Sequence, residues 1–505
     1  MAFPTKSGHA SNCLILEPAI VFREMVSLGH LGRNMLIFYI ISAAIGLVWG
    51  GVILRRSGLL GGCLALVLLA SCFGYDFYHF QLGTLPLTSD RIVLALLSGC
   101  YIASRVWGWT SSPRIDWLDA LFGGFLAMLT INTLAHNWRI DGAQPLARLL
   151  FFYIGPALMY WLVRESAFEE RRCRWICGFL GLFSIYLAAT ALAEVNQISG
   201  AVFPSYILSS TNREWLGRAR GPFLNPVTNG MFMSAGLFAW TLLWPRVNRI
   251  GKVALSFAMT LVLMGIYLTL TRSCWMGAML GLALIVFANI PHRFRIPLGI
   301  AGLLLVSLVF AIRGSHLNSF KRDKDVSEFH MAQSAELRPM LAVVAWKIAM
   351  DYPLFGCGLG QYKQVDAYYL HDPNVDMPLD RLKRFVQHNV FLSLLTETGF
   401  IGLGFYLWLL CAWIHRAWRL WRTVELPLAI RQFGLLFVAF IANWCVNGMF
   451  HDTSLMVNAN LLLFFLAGTV QGLSARAQVG ASQSESPWSV RVPLADVRYP
   501  IAHPR

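Results

Sequence analysis

The sequence predicts an all-α fold, a polytopic transmembrane helical bundle, and three observations carry that expectation. Of 505 residues, 56% are hydrophobic and 13% charged, a charged fraction about half that of a soluble domain, which leaves too little polar surface to cover cores in water. Apolar stretches of roughly 17 to 25 residues, long enough to span a bilayer, recur along nearly the whole chain. The connections between them alternate in basic charge, as the retention of Lys and Arg on the cytoplasmic side requires.

Residues 1–34 form a polar or amphipathic segment in which Lys6, Glu17, Arg23, Glu24 and Arg33 interrupt short apolar stretches. That order is not the basic, apolar and small-residue order of a cleavable signal, so the first span is expected to direct insertion. N-terminal spans are expected over 35–195, beginning near Met35, Leu59, Ile92, Trp117, Ala147 and Trp175. A second set over 196–473 begins near Val227, Lys252, Cys274, Ile296, Val390, Gln432 and Ser454. Together they make about 12 to 13 spans, one of the first four being a candidate re-entrant or broken helix.

Arg55 and Arg56, Arg105 and Arg114, the run Arg164 to Arg174, Arg246 to Lys252, Arg293 and Arg295, and Arg416 to Arg422 all fall on one side if every span crosses. The opposite, extracytoplasmic face then carries the segment from about Asn196 to Pro226, a tight turn at Thr271 to Ser273, a large loop over 313–388 and a short turn around His451. A loop of that size points to function. Within it Leu337, Leu341, Val344 and Ile348 repeat at the spacing of a helix with one apolar stripe, expected to lie on the membrane surface and to end at Pro353. The tail, 474–505, is polar and is expected to be a disordered cytoplasmic segment.

The formal charge of +15 belongs to this topology. Its basic residues are scattered between apolar runs and form no stripe for nucleic acid. Ten cysteines include no CxxC pair, and Cys63, Cys72, Cys100, Cys411 and Cys445 sit inside apolar runs as small core residues. No HExxH, DxD or clustered Cys/His pattern occurs, so no metal site is expected.

Six residues are candidates for chemistry. Arg220 lies in "RARGPFLNPVTNG", where Gly, Pro and Asn favour a shaped loop; a guanidinium there either meets headgroups or clamps a phosphate with its planar fork. Arg272, in "LTLTRSCWMG", sits on the face that disfavours short-loop arginines, and an ionisable group at that depth is a functional candidate unless it snorkels from a helix end. His388 opens a span in "VQHNVFLSLLTETGFIGLG", where a neutral imidazole is either an interfacial hydrogen-bonding group or a base for a hydroxyl proton. His451, beside Asp452, is a weaker candidate of the same type. Arg338 on the loop helix, and Glu397 inside the span after His388, serve either in structural pairs or directly. The glycines of "GCGLGQ" neither follow a strand nor open a phosphate loop, and read as a turn that permits close backbone approach.

Four pieces, "RARGPFLNPVTNG", "LTLTRSCWMGAMLGL", "RPMLAVVAWKIAMDYPLFGCGLGQY" and "HNVFLSLLTETGFIGLGFYL", make the second half resemble the O-antigen ligase and polymerase superfamily, bacterial membrane proteins that act on undecaprenyl-diphosphate-linked glycans. The resemblance implies a GT-C-like fold, no metal or nucleotide cofactor, and a bacterial inner-membrane location with the active site on the periplasmic side. It also implies roles: Arg220 and Arg272 resemble the arginines that hold the lipid diphosphate, His388 the base for the acceptor hydroxyl, and Arg338 a recurrent arginine of the large loop. The expected partners are an undecaprenyl-diphosphate-linked donor, a glycan or lipid-core acceptor and the bilayer. Ligase, polymerase and protein O-oligosaccharyltransferase share these motifs, and a lipid-glycan transporter or flippase that uses the arginines only for binding is the competing class.

Overall fold

The computed structural model describes residues 50–52, 55–77, 79–82, 85–108, 115–138, 145–166, 169–209, 215–291, 293–295, 297, 328–371, 377–384 and 387–482. Contacts divide the chain into two units, Met1–Gly62 and Cys63–Arg505. The described part of the first is helical: residues 50–52 and the opening turns of α1 (Arg55–Cys72).

In the second unit a short antiparallel hairpin, β1 (His79–Leu82) and β2 (Leu85–Thr88), follows α1 and pairs His79 with Thr88. Helices then run α2 (Ser89–Val106), α3 (Trp117–Ala135), α4 (Pro145–Arg164, with a π-helical turn over Leu149–Ile154), α5 (Glu170–Val195), α6 (Pro226–Leu243), α7 (Arg249–Leu268) and α8 (Arg272–Asn289). The large loop holds α9 (Glu328–Asp351) and α10 (Tyr362–Tyr369), and the chain continues with α11 (Val390–Arg422), α12 (Leu428–Phe450) and α13 (Val457–Ser482). Among the described residues nine helices are long and apolar enough to cross a membrane: α1, α3, α4, α5, α7, α8, α11, α12 and α13. Helices α2 and α6, each of 18 residues, stand where spans were expected from Ile92 and Val227. The architecture is an all-α polytopic membrane bundle. The spans expected near Met35 and Ile296, and the segment 1–34, lie outside the described residues. Helix α13 runs through Ser482, so residues 474–482 are helical and 483–505 lie outside the description.

Burial ranks the helices: the membrane window of α13 is 89% buried and that of α12 72%, against 28% for α7. Helices α12 and α13 are therefore the centre of the bundle, and α7 is rim. Around them Phe122, Tyr160, Trp413 and Phe464 pack mainly edge to face, the geometry aromatic rings prefer.

Arginines of the charge pattern gather at one end in a buried polar layer. Arg164 Nε donates to Asp119 at 2.8 Å, Tyr160 Oη to the same carboxylate at 3.0 Å, and Arg416 pairs with Asp116 at 2.8 Å. Asp116 also caps α3 through the amides of Leu118 and Asp119 and accepts from Gln471 at 2.8 Å, so one carboxylate ties α3, α11 and α13 together.

Helix α11 is broken at Gly399 (φ 68°, ψ −170°), and the large loop docks into the break. Phe400 N donates to Pro353 O, Cys357 N to Thr396 O and Gly358 N to Glu397 O, at 2.8 to 3.1 Å. A Cβ on Gly356 would fall 2.3 Å from the Glu397 carbonyl carbon, and one on Gly399 2.3 Å from Leu354 O. Only glycine permits this contact, and both positions have positive φ. The close approach read from "GCGLGQ" is thus the seam between loop and bundle. Asn132 of α3 adds a clamp, donating to Phe355 O at 2.6 Å and accepting from Leu359 N at 2.8 Å.

The stripe of α9 forms as expected and its environment corrects the expectation. Leu337, Leu341, Val344 and Ile348 are buried against Tyr362, Tyr369, Leu370, Leu379 and Leu382, so the stripe makes a small core within the loop and does not face the bilayer. Burial pushes the Cys357 thiol at the edge of that core up to about 12, which keeps it a protonated packing group.

Candidate active site

The candidate residues are best located from the end of α12. Asn389 caps α11, accepting from Phe391 N at 2.8 Å and Leu392 N at 3.1 Å, while its amide nitrogen donates to Met449 O at 3.1 Å. Gln387 on the other side is buried and donates to Thr396 Oγ1 at 2.7 Å. His388 is therefore fixed by both neighbours while it stays exposed. The Arg338 guanidinium lies 5.1 Å from the centre of the Phe450 ring, one residue beyond Met449. His451 follows as the C-cap of α12, its amide donating to Asn447 O at 2.9 Å. Asn447 in turn touches Cys274, whose Sγ lies 3.4 Å from Asn447 Oδ1, and Cys274 is two residues after Arg272. The starts of α8 and α11 and the loop helix α9 thus each contact the last turns of α12, and these elements carry Arg272, Arg338, His388 and His451.

Arg272 is the first residue of α8, half-buried, and makes no ion pair with another described residue. The N-cap Thr271 gives that helix no side-chain cap; its hydroxyl donates to Thr269 O at 2.9 Å and accepts from Arg218. Arg272 therefore stands at the positive end of a helix dipole, a setting that favours anions. Leu270 just before it, and Leu224 just before the N-cap of α6, take left-handed φ values of 48° and 47°, a strain that non-glycine residues keep only where their surroundings enforce it. Arg218 supplies part of that enforcement, donating from Nε to Thr269 O at 3.0 Å.

Arg220 is placed differently. It is 2% exposed; its Nε meets Glu194 at 3.0 Å and its Nη2 meets Ile207 O at 2.5 Å and Ser209 O at 3.3 Å. The second Glu194 oxygen accepts from Gly221 N at 2.9 Å. This guanidinium is engaged in holding Ile207 and Ser209 to Glu194 at the end of α5.

Glu397 is also in a structural pair. Its partner is Arg148 at 2.7 Å. Arg148 Nη2 reaches Ser393 and Ser454 at 3.5 Å and Asp452 at 3.9 Å, and the Asp452 carboxylate binds Ser454 N at 3.1 Å. One arginine between two carboxylates therefore ties α4 and α11 to the turn after His451. Neither Arg148 nor Arg218 was singled out from sequence. The signal for Arg148 was available, an arginine in the apolar run "ARLLFFYIGPALMYWL", the same rule that found Arg272. Among the described residues no group of three or more His, Cys, Asp or Glu side chains is arranged to hold a metal ion.

The family model described as O-antigen ligase matches residues 257–407. The chain carries an O-antigen ligase domain. Three of the four motifs that suggested the resemblance lie in the matched ligase region, from α7 to the middle of α11, which bears the resemblance out. The ligase domain contains Arg272, Arg338, His388 and Glu397, while Arg220 and His451 flank it. The protein is accordingly a multi-pass membrane protein with a glycan-processing function of the O-antigen ligase or polymerase type. No curated protein matches the chain.

Proposed function

We propose that the chain transfers glycan from an undecaprenyl-diphosphate-linked donor to an acceptor hydroxyl, at the periplasmic end of a bundle in a bacterial inner membrane. The observation that supports this reading is that Arg272, Arg338 and His388 all lie in the matched residues 257–407, on elements whose neighbouring residues contact the last turns of α12. The buried arginine layer at the opposite end of α3, α4 and α11 supports the orientation.

The acceptor oxygen attacks the anomeric carbon while the bond from that carbon to the diphosphate oxygen breaks, its electron pair leaving with the diphosphate. The hydroxyl proton passes to His388, a contribution of about 10² to 10⁴ in rate for general-base catalysis. Negative charge grows on the leaving diphosphate. Arg272 and the amides that open α8 stabilise it, each such donor accounting for about 10² to 10³ in rate. Arg338 is the second cation of the clamp. Arg220 acts through the loop that it holds on Glu194, and Glu397 through Arg148. His451 borders the site as a lesser candidate.

Reconstituted full-length protein tests this reading, supplied with a polyprenyl-diphosphate glycan and a glycan, lipid-core or hydroxyl-peptide acceptor. The expected result is transfer that persists in EDTA, and the productive acceptor identifies ligase, polymerase or protein glycosyltransferase. Movement of donor between leaflets without transfer would make the protein a flippase and overturn the proposal.

A further inference from the structure

A cavity of about 240 Å³ opens between the hairpin segment, the loop before α6 and the turn before α13. Ser71 at the end of α1, Thr88 at the end of β2 and Asp90 in the first turn of α2 line it, and each has a buried side-chain oxygen with no hydrogen-bond partner. Ser71 and Thr88 are each 2% exposed. A buried polar atom left without a partner costs about 1 to 3 kcal/mol, and three such atoms from three elements around one cavity indicate a ligand that completes them.

The lining defines its chemistry. It holds two carboxylates, Asp76 and Asp90, and one guanidinium, Arg91, so the site carries more acidic than basic groups and disfavours a diphosphate. Burial raises the Asp76 carboxyl above its ordinary range, against the opposing effect of His79. Hydroxyls and amides outnumber the charges: Ser71, Thr88, Tyr75, Asn225, Thr228 and Asn458. The ring of Tyr75 is half exposed and stacks on His79 at 4.1 Å, leaving an aromatic face for the C–H side of a pyranose. The volume is below the roughly 300 to 1,000 Å³ of drug-sized sites, which suits one sugar ring better than a chain.

We infer that this cavity is a binding site for a single uncharged glycosyl residue, separate from the arginines that serve the diphosphate. It borders the reacting region, because Asn225 precedes Pro226, whose carbonyl lies 3.8 Å from Cys274 Sγ, and because Leu455 and Met456 continue the turn that holds Asp452 and Ser454. The role of that sugar, as part of donor or acceptor, rests on the function proposed above; its binding does not.

The test is saturation-transfer NMR on full-length protein in nanodiscs, with methyl glucoside, methyl galactoside and N-acetylglucosamine as probes and inorganic pyrophosphate as the anionic control. At least one sugar should bind. Ser71→Ala with Thr88→Val should weaken it about tenfold, the loss of two hydrogen bonds. Asp90→Asn, nearly isosteric, should weaken it by a factor on the order of ten and serves if the double variant is not recovered folded. Arg272→Ala should bind sugar normally while losing transfer. In the transfer assay a raised KM for acceptor assigns the site to the acceptor sugar, and a raised KM for donor to the donor sugar; both support a glycosyl site. No sugar bound by the wild type, pyrophosphate bound in its place, or affinity unchanged in folded cavity variants would overturn it. Sugar binding by a wild type that transfers nothing would leave this site standing and remove the proposed function alone.

Discussion

Removing either member of the Arg148 and Glu397 pair should destabilise the protein, and by unequal amounts. The two side chains are 10% and 3% exposed and 2.7 Å apart. Breaking a buried pair by deleting one partner costs about 3 to 5 kcal/mol, mostly because the other charge is left uncompensated. In Glu397→Gln, Arg148 keeps Asp452 at 3.9 Å and two serine hydroxyls at 3.5 Å, so the loss should fall near the lower limit, about 3 kcal/mol. In Arg148→Met, Glu397 and Asp452 lose their shared cation together, and the loss should approach about 5 kcal/mol. Arg148→Met with Glu397→Gln leaves only Asp452 charged and should be less destabilised than the sum, a coupling of about 1 to 3 kcal/mol. Denaturant unfolding of the purified protein, followed by tryptophan fluorescence across this double-mutant cycle, gives the numbers. Additive losses, or Glu397→Gln worse than Arg148→Met, would refute the view that one arginine serves two carboxylates.

Three further outcomes follow from the same structure. Gly356→Ala puts a β-carbon 2.3 Å from the α11 backbone at a φ of 71°; the strained backbone alone should cost about 1 to 3 kcal/mol, and hydrogen exchange at Cys357, Gly358 and Phe400 should accelerate, whereas unchanged protection would mean that the loop does not depend on this seam. Arg220→Ala leaves Glu194 buried and should cost about 3 to 5 kcal/mol, partly recovered with Glu194→Gln; a variant as stable as wild type that nonetheless fails to transfer glycan would assign Arg220 to the donor directly. Burial alone would raise the Asp116 carboxyl, but Arg416, the amides of Asp119 and Leu118 and the Gln471 side chain outweigh it and hold it below the usual range. Its stabilising contribution is therefore complete above about pH 4, the unfolded value, and disappears as pH falls through the lower folded value. The melting-temperature gap between wild type and Asp116→Asn should narrow below pH 4, and a gap that stays constant between pH 3 and 6 would contradict the pairing.

The bundle and most of its helices could be read from the sequence, because span length and basic charge are local properties of the chain. Helices α3, α5 and α11 begin within a few residues of Trp117, Trp175 and Val390, where the apolar runs start. The stripe of α9 was equally local, but what it packs against was not. Leu337 and Ile348 meet Tyr369 and Leu382 of the same loop, and periodicity records that a face is apolar without recording its partner. The same limit applies to the arginines. Arg220 and Arg272 look alike in sequence, each beside a span in a glycine- or serine-containing motif; Glu194, 26 residues upstream at the end of α5, separates them. Arg148 and Glu397 are 249 residues apart, and nothing short of the fold brings them together. The hairpin after α1 was missed because its strands have only four residues each, too few for an alternating pattern to stand out.

The central claim is that His388 and Arg272 perform glycan transfer at the end of α12. Its most direct test is the turnover of purified His388→Ala and Arg272→Ala proteins in the reconstituted transfer assay, beside their unfolding midpoints. The expected result is kcat lower by about 10² to 10⁴ for the histidine variant and about 10² to 10³ for the arginine variant, with midpoints near wild type. Wild-type kcat from either variant would contradict the account.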